Sequence, residues 1–598
     1  MFSRPAQVRG ATELTGQLRK LALPVGGINA RDAYESMAPN DAVSMTNMRA
    51  TAYGIEVRHG FQEWATKLPG ENPVGTLMSY YSSLISGVSS SGLGMYASPL
   101  AQEARQLPFA VNTDAITVRG QLFACTSKQI YDVSAGGSGP WVAQTGVGTV
   151  TSDYWTWRNF QNAAGNFLIA ANHGGGYVVY GGAGFSNGFS DGFRTATSGF
   201  TRIGEGESYG QISGVDPDLF CYVMAWKQRL WFVEKDSSRA WYLPPQQLTG
   251  QAFQFDFGPM FRHGGHLVAL VNWTIDGGEG LDDYLVAFGS EGDVVIYKGY
   301  DPDNADVDPA AFQLHGIWYI GPLPAGRRQI DPYGGDVYVL SALGLSQVSK
   351  LVLMSQLEPE AVRNLSEKID PLLVALIKRT MDSEDWFIKM LPREEAYVIG
   401  SPEVLAGQGT QQFVYHQAAP GWSIYRDLPI ACYCTHDSLI FGGSVKTGVG
   451  LGGIVYLMFD NELDNVPLEP DEENAGKAIA CALVPAYQSL GAPGMFKNFP
   501  MVRPMLISDA VPDYSVSVLT DFEFPAFRST IPLPPIGTSL WDQARWDQNK
   551  WTGSPRPIRK WVGTVGGGYV GTCQIDLTAI GGTKITSIDM WVQDGGPL

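Results

Sequence analysis

The sequence predicts a mainly β protein: a β-propeller-like domain of short hairpin blades, a C-terminal β-sandwich and one short helical insertion. Three observations predict it. The 598 residues include 71 Gly and 37 Pro, 12% are aromatic and only 17% charged, a composition of turns and pleated strands rather than helical bundles. Short apolar-aromatic runs recur in pairs across polar-Gly turns. The pairs follow one another at intervals of tens of residues, as the blades of a propeller do. A chain of this length exceeds one core, so two or more domains are expected.

The paired runs fill residues 71–465. They are QLFAC (121–125) with QIYDV (129–133), NFLIA (166–170) with GYVVY (176–180), and QRLWFV (228–233) with RAWYL (239–243). DYLVAF (283–288) then pairs with DVVIY (293–297), DVYVL (336–340) with GLSQV (344–348), and SLIF (438–441) with GIVYL (453–457). About six or seven blades fit this spacing, and a pair of sandwiches is the alternative. The β pattern breaks near 358–380, where Leu365, Ile369, Leu372, Leu373, Leu376 and Ile377 recur at helical spacing. Pro371 after Asp370 marks a helix start, so the insertion reads as one or two short helices on the propeller rim. GFSNGFSDGF (184–193) reads as a loop between blades. An acidic, Pro-containing linker at 466–475 opens the last domain, 466–598, whose SVSVL (515–519) and IDMWV (588–592) read as sandwich strands.

Charge and cysteines narrow the function classes. The formal net charge is −18, from 41 Lys+Arg against 59 Asp+Glu, and such a surface repels phosphates rather than gripping nucleic acid. Six scattered cysteines read as reduced core residues rather than a disulfide framework. The first twenty residues lack an apolar signal core, and no run of about 18 apolar residues occurs, so neither a secretion signal nor a transmembrane helix is expected. Folding in a cytoplasm is the corresponding expectation.

Chemistry-bearing motifs fail on their context. Gly448, Gly450 and Gly453 fit a dinucleotide fingerprint but lead into a strand rather than a helix. Gly184-Phe-Ser186-Asn-Gly188 fits a nucleophile elbow with no helix after it. Cys432, Cys434 and His436 alternate along one strand, at a spacing poor for zinc. Asp301, Asp303, Asp306 and Asp308 resemble a calcium loop without its glycine and closing glutamate; they read as an acidic loop. No catalytic centre, metal or cofactor is expected. Trp541, Trp546 and Trp551, at five-residue spacing beside Asp, Gln, Arg and Lys, read as sandwich packing or as an interface or glycan patch.

Residues 23–60, LPVGGINARDAYESMAPNDAVSMTNMRATAYGIEVRHG, carry fixed punctuation. Gly26-Gly27 and Gly54 supply backbone freedom, and Pro39-Asn40-Asp41 fits a turn before a short helical segment. With few apolar residues, the N-terminal segment 1–70 reads as a docking element ordered by partners. Its Gly-Gly-Ile-Asn turn, the Asn at 47 and the closing Gly54-x-x-x-Arg58-x-Gly60 resemble the opening of tail nozzle (tail tubular B-type) proteins of short-tailed bacteriophages. Gly26, Gly27, Asn29, Asn47 and Arg58 are the candidate docking residues.

The resemblance implies a structural subunit, not an enzyme. It implies a homo-oligomeric ring, commonly hexameric, that extends the portal-adaptor channel, retains the packaged genome and passes double-stranded DNA at ejection. It also implies a propeller with a platform built partly from both chain ends, and location in the virion tail beside an adaptor, fibres or spikes and a plug. Asp301, Asp303, Asp306 and Asp308 then become candidates for an acidic channel lining. The alternative is a carbohydrate-binding or carbohydrate-cleaving propeller that contacts a host surface.

Overall fold

The structure is a computed structural model. It describes residues 16–69, 73–81, 120–162, 165–181, 199–207, 210–276, 281–304, 308–354, 364–404, 410–445, 453–469, 476–491, 493–523 and 556–597. The Phe/Gly loop 184–193, Trp541, Trp546, Trp551 and Asp306 lie outside these residues.

The chain is mainly β, with a six-bladed propeller arrangement. Blade 1 is the antiparallel ladder of Thr76–Tyr81, Gly120–Cys125 and Ile130–Asp132. Blade 2 runs Trp155–Asn162, Gly165–Asn172, Tyr177–Tyr180 and Phe200–Ile203. Blade 3 is Phe220–Trp226, Arg229–Glu234, Arg239–Tyr242 and Phe253–Asp256. Blade 4 is Leu267–Asp276, Leu281–Gly289, Asp293–Gly299 and Phe312–Tyr319, and blade 5 is Ile330–Tyr333, Asp336–Ser341 and Gly344–Gln347. Blade 6 is Ile430–His436, Leu439–Ser444 and Gly453–Asn461, completed by Gly60–Leu68 from far earlier in the chain. That borrowed outer strand closes the ring, since the chain enters blade 1 directly after leaving blade 6.

Between blades 5 and 6 in chain order lies one more four-stranded ladder, of Phe387–Leu391, Ala396–Val404, Thr410–His416 and Gly421–Leu428. It is not separate. Its last strand meets Ala42–Thr46 in parallel at Thr46 and Ile424, and the sheet continues through Ile479–Pro485, Gly571–Ala579 and Asp513–Thr520. A second sheet orders Met48–Thr51, Gly54–Val57, Lys584–Pro597, Met495–Ser508 and Arg556–Arg559, with Gln17–Leu21 paired to Lys584–Pro597. The two sheets face each other as a sandwich made from both ends of the chain. Met495–Ser508 shows why: over much of its length buried residues alternate with more exposed ones, which is what one face on a core and one on solvent requires. Val502, Leu506, Ile588 and Met590 meet Cys481, Leu483, Ile575 and Leu577 in the shared core.

Among the described residues two α-helices interrupt the β pattern, α1 (Val348–Met354) and α2 (Asp370–Arg379). Pro371 sits in the first turn of α2, and Ser366 Oγ donates to Asp370 Oδ1 at 2.6 Å to hold that end. Leu373, Leu376 and Ile377 pack into the sandwich core, but Leu372, read as part of the same face, is 44% exposed. Residues 364–369 form turns rather than a first helix. The turn at Pro39-Asn40-Asp41 likewise leads into the strand Ala42–Thr46, not a helix. All six cysteines are buried and unbridged.

Candidate functional site

The residues read as a docking element converge on the seam between propeller and sandwich. Gly27 has φ +73°, and a Cβ there would lie 2.3 Å from the Trp422 backbone nitrogen. At Gly26 an added Cβ would meet Asp41 Oδ1 at 2.3 Å. This close approach lets Ile28 N–H donate to the Trp422 carbonyl at 2.8 Å. Asn29 then donates from Nδ2 to Asp41 Oδ2 (2.7 Å) and Asp32 Oδ2 (2.9 Å), and its Oδ1 accepts from the amides of Arg31 and Asp32. Lys368 Nζ donates to Asp41 Oδ1 at 2.7 Å, so the buried carboxylate is neutralised.

Asn47 sits in the left-handed region at φ +55°, a conformation that Asn tolerates better than most non-glycine residues. From there Nδ2 donates to the Ala480 carbonyl (2.8 Å), while Oδ1 accepts from Arg426 N–H (2.8 Å) and Arg58 Nε (3.1 Å). Arg58 Nη1 and Nη2 donate to Asp464 Oδ1 and Oδ2 at 2.7 and 2.6 Å. Burial works against the Arg58 charge, but Asp464 holds the guanidinium above its ordinary pKa. Ladder, sandwich and the chain just past blade 6 meet in one buried network.

Gly26, Gly27, Asn29, Asn47 and Arg58 are therefore not a partner-facing docking surface. The three polar residues are each about 1% exposed and satisfied within the chain. Ile28, Met45, Met48, Ile55 and Val57 join the sandwich core, so the segment does not wait for a partner to order it. The sequence reading underrated it because Asn47 and Arg58 bond to partners hundreds of residues away.

The acidic loop is also reassigned. It joins the third and fourth strands of blade 4, and Arg229 of blade 3 donates to Asp301 Oδ1 at 2.6 Å and Asp303 Oδ2 at 2.9 Å. Tyr242 Oη donates to Asp303 Oδ1 at 2.6 Å. Asp301 and Asp303 thus clamp two blades rather than standing as free lining charges. Asp308 accepts from Ala310 N–H at 3.0 Å within its own turn. Cys432 and Cys434 are buried, and His436 Nδ1 lies 2.8 Å from Ser79 Oγ; among the described residues no three potential ligands converge on a metal position. Gly453, from the dinucleotide-like run, opens a strand. No helix among the described residues is long and apolar enough to cross a membrane.

Sequence reasoning missed the outward face of the second sandwich sheet. Leu18, Trp591 and Met501 are direct cross-strand partners and share that face. Leu18 is 49% and Met501 37% exposed. Beside them the Arg503 guanidinium lies 4.6 Å over the Trp561 ring and binds Asp589 at 2.6 Å. Alternation along 588–592 was legible, but which strands flank Trp591 was not.

No protein-family model and no curated protein matches the chain. Among solved structures it is similar to the β-propeller domain of Cps50 (Swd1) of Myceliophteria thermophila. That similarity has 9% identity and a TM-score of 0.29, and covers 56% of this chain and 92% of that one.

Proposed function

We propose that this chain is a structural subunit of a phage tail nozzle, assembling into a ring that extends the portal-adaptor channel and passes DNA during ejection. The observation that supports it best is the sandwich built from both chain ends and fused to a propeller. The residues that carry the nozzle resemblance, Gly26, Gly27, Asn29, Asn47 and Arg58, are those that make the fusion. A rigid platform of this kind suits a subunit that stacks and transmits load, and the net charge of −18 suits a conduit that does not retain DNA.

Within this reading the row Leu18–Trp591–Met501 is the contact with a second copy. Apolar side chains in register on paired strands offer a stiff surface, with charged neighbours at the rim, as subunit interfaces do. Sedimentation of wild type against Leu18→Glu/Met501→Glu tests it. Assembly lost in the variant, with the melting temperature kept, is expected. Assembly unchanged in the variant removes the row from the interface, and a wild type that never assembles removes the ring.

A further inference from the structure

Strands of the propeller line a half-open cavity of about 340 Å³, within the size range of small-molecule sites. Strands from blades 1, 2, 3, 5 and 6 and from the shared ladder line it. Four cationic side chains, Arg158, Arg327, Arg328 and Lys389, and a single carboxylate, Asp331, are in the lining. Four positive charges less one negative leave three, inside a chain whose net charge is −18.

The one carboxylate is already committed. Asp331 Oδ1 accepts from Lys389 Nζ at 2.9 Å, and Oδ2 from Met390 N–H at 2.9 Å. The arginines are held by neutral groups instead. Arg327, 5% exposed, donates from Nη1 to the carbonyls of Leu267 (3.1 Å) and Val268. Arg328 donates to the Gly75 carbonyl at 2.5 Å and to Thr76 Oγ1, with its guanidinium carbon 3.8 Å over the Tyr154 ring. Arg158 is exposed and bonded only to the neighbouring Trp157 carbonyl, at 3.0 Å.

Among the described residues none of these three arginines has a carboxylate within 4.0 Å. Asp153 and Glu384 stand outside the lining. Glu384 lies 3.3 Å from His173, and burial raises the Asp153 carboxyl, with Arg328 opposing. Cations gathered in a concave site without a paired carboxylate hold a local positive potential. The walls are aromatic, with Trp155, Trp157 and Tyr222 among them.

We propose that this hub cavity binds a small organic anion, a carboxylate or phosphate carried on a flat apolar body. The head group pairs with the arginines, bidentately where its geometry allows, and the body lies against the indole and phenol rings. This site is independent of ring assembly.

Calorimetric titration of the full chain with benzoate, phenyl phosphate, benzyl alcohol and benzylammonium tests the assignment. At least one of the two anions is expected to bind saturably, the alcohol and the cation not. Benzoate alone would identify a carboxylate site and phenyl phosphate alone a phosphate site. Arg158→Glu, which among the described residues breaks only the hydrogen bond to the neighbouring Trp157 carbonyl, is expected to weaken the anion about tenfold or more, and Arg158→Lys to restore most of it. Three results each overturn the proposal: no binding of either anion, benzyl alcohol binding as tightly as the anions, or Arg158→Glu leaving anion affinity unchanged.

Discussion

Arg58 and Asp464 form a two-pronged ion pair, 2.7 and 2.6 Å, at a point where the N-terminal segment, the shared ladder and the C-terminal sandwich meet. The arginine side chain is 1% exposed and the aspartate 12%. Removing one partner leaves a buried charge without its counterpart, a change that costs about 3 to 5 kcal/mol. Asp464→Asn is therefore expected to lower the urea midpoint strongly, while Arg58→Met/Asp464→Leu recovers much of the loss. A single Asp464→Asn variant as stable as wild type would deny the pair its place in the seam.

Gly27 and Gly264 separate backbone strain from steric closure. Both have positive φ, +73° and +78°, but an added Cβ meets Trp422 backbone at Gly27 and nothing within 4 Å at Gly264. Gly264→Ala is expected to cost about 1 to 2 kcal/mol from the left-handed conformation alone. Gly27→Ala should cost clearly more, because two backbones must part. Thermal melts of the two variants decide it, and equal losses would place no close contact at Gly27.

Asp301 and Asp303 are expected to matter for stability rather than for DNA passage. With both changed to Asn, Arg229 keeps weaker acceptors while its side chain remains only 7% exposed. A loss of about 1 to 3 kcal/mol follows, with faster hydrogen exchange along the facing strands of blades 3 and 4. Unchanged exchange there would return the pair to the status of a solvated loop.

His416 gives the fold an acid sensitivity. Burial, with Arg49 nearby, lowers its pKa to about 3 from the ordinary 6.5, and Nε2 lies 2.9 Å from Ser423 Oγ. The unfolded chain then takes up this proton first. Its contribution is complete above about pH 6.5 and falls with pH towards 3, by at most about 1.4 kcal/mol per unit. Half-buried His173 and buried His436 are shifted in the same direction, so His416→Gln should flatten, not abolish, the fall in melting temperature between pH 7 and 5. Parallel profiles for variant and wild type would contradict the assignment.

The hairpins were legible because each blade is written locally. Asp293–Gly299 follows Leu281–Gly289 across a tight turn, and period and turn chemistry both lie within twenty residues. Long-range pairing was not. Nothing in Gly60–Leu68 says that its partner is Gly453–Asn461, and nothing near Lys584–Pro597 names Gln17–Leu21. The docking reading of 23–60 failed for the same reason, since Asn47 and Arg58 are satisfied by Ala480 and Asp464. The positive hub was equally hidden: a net charge of −18 says nothing of where Arg158, Arg327 and Arg328 gather.

Electron microscopy of the purified full-length protein tests the central claim most directly. The nozzle account predicts closed rings of several copies around a central hole, with the sandwich outer faces at the contacts between subunits and the propellers as separate lobes. Single propeller-and-sandwich particles at every protein concentration, with no ring formed, would contradict it.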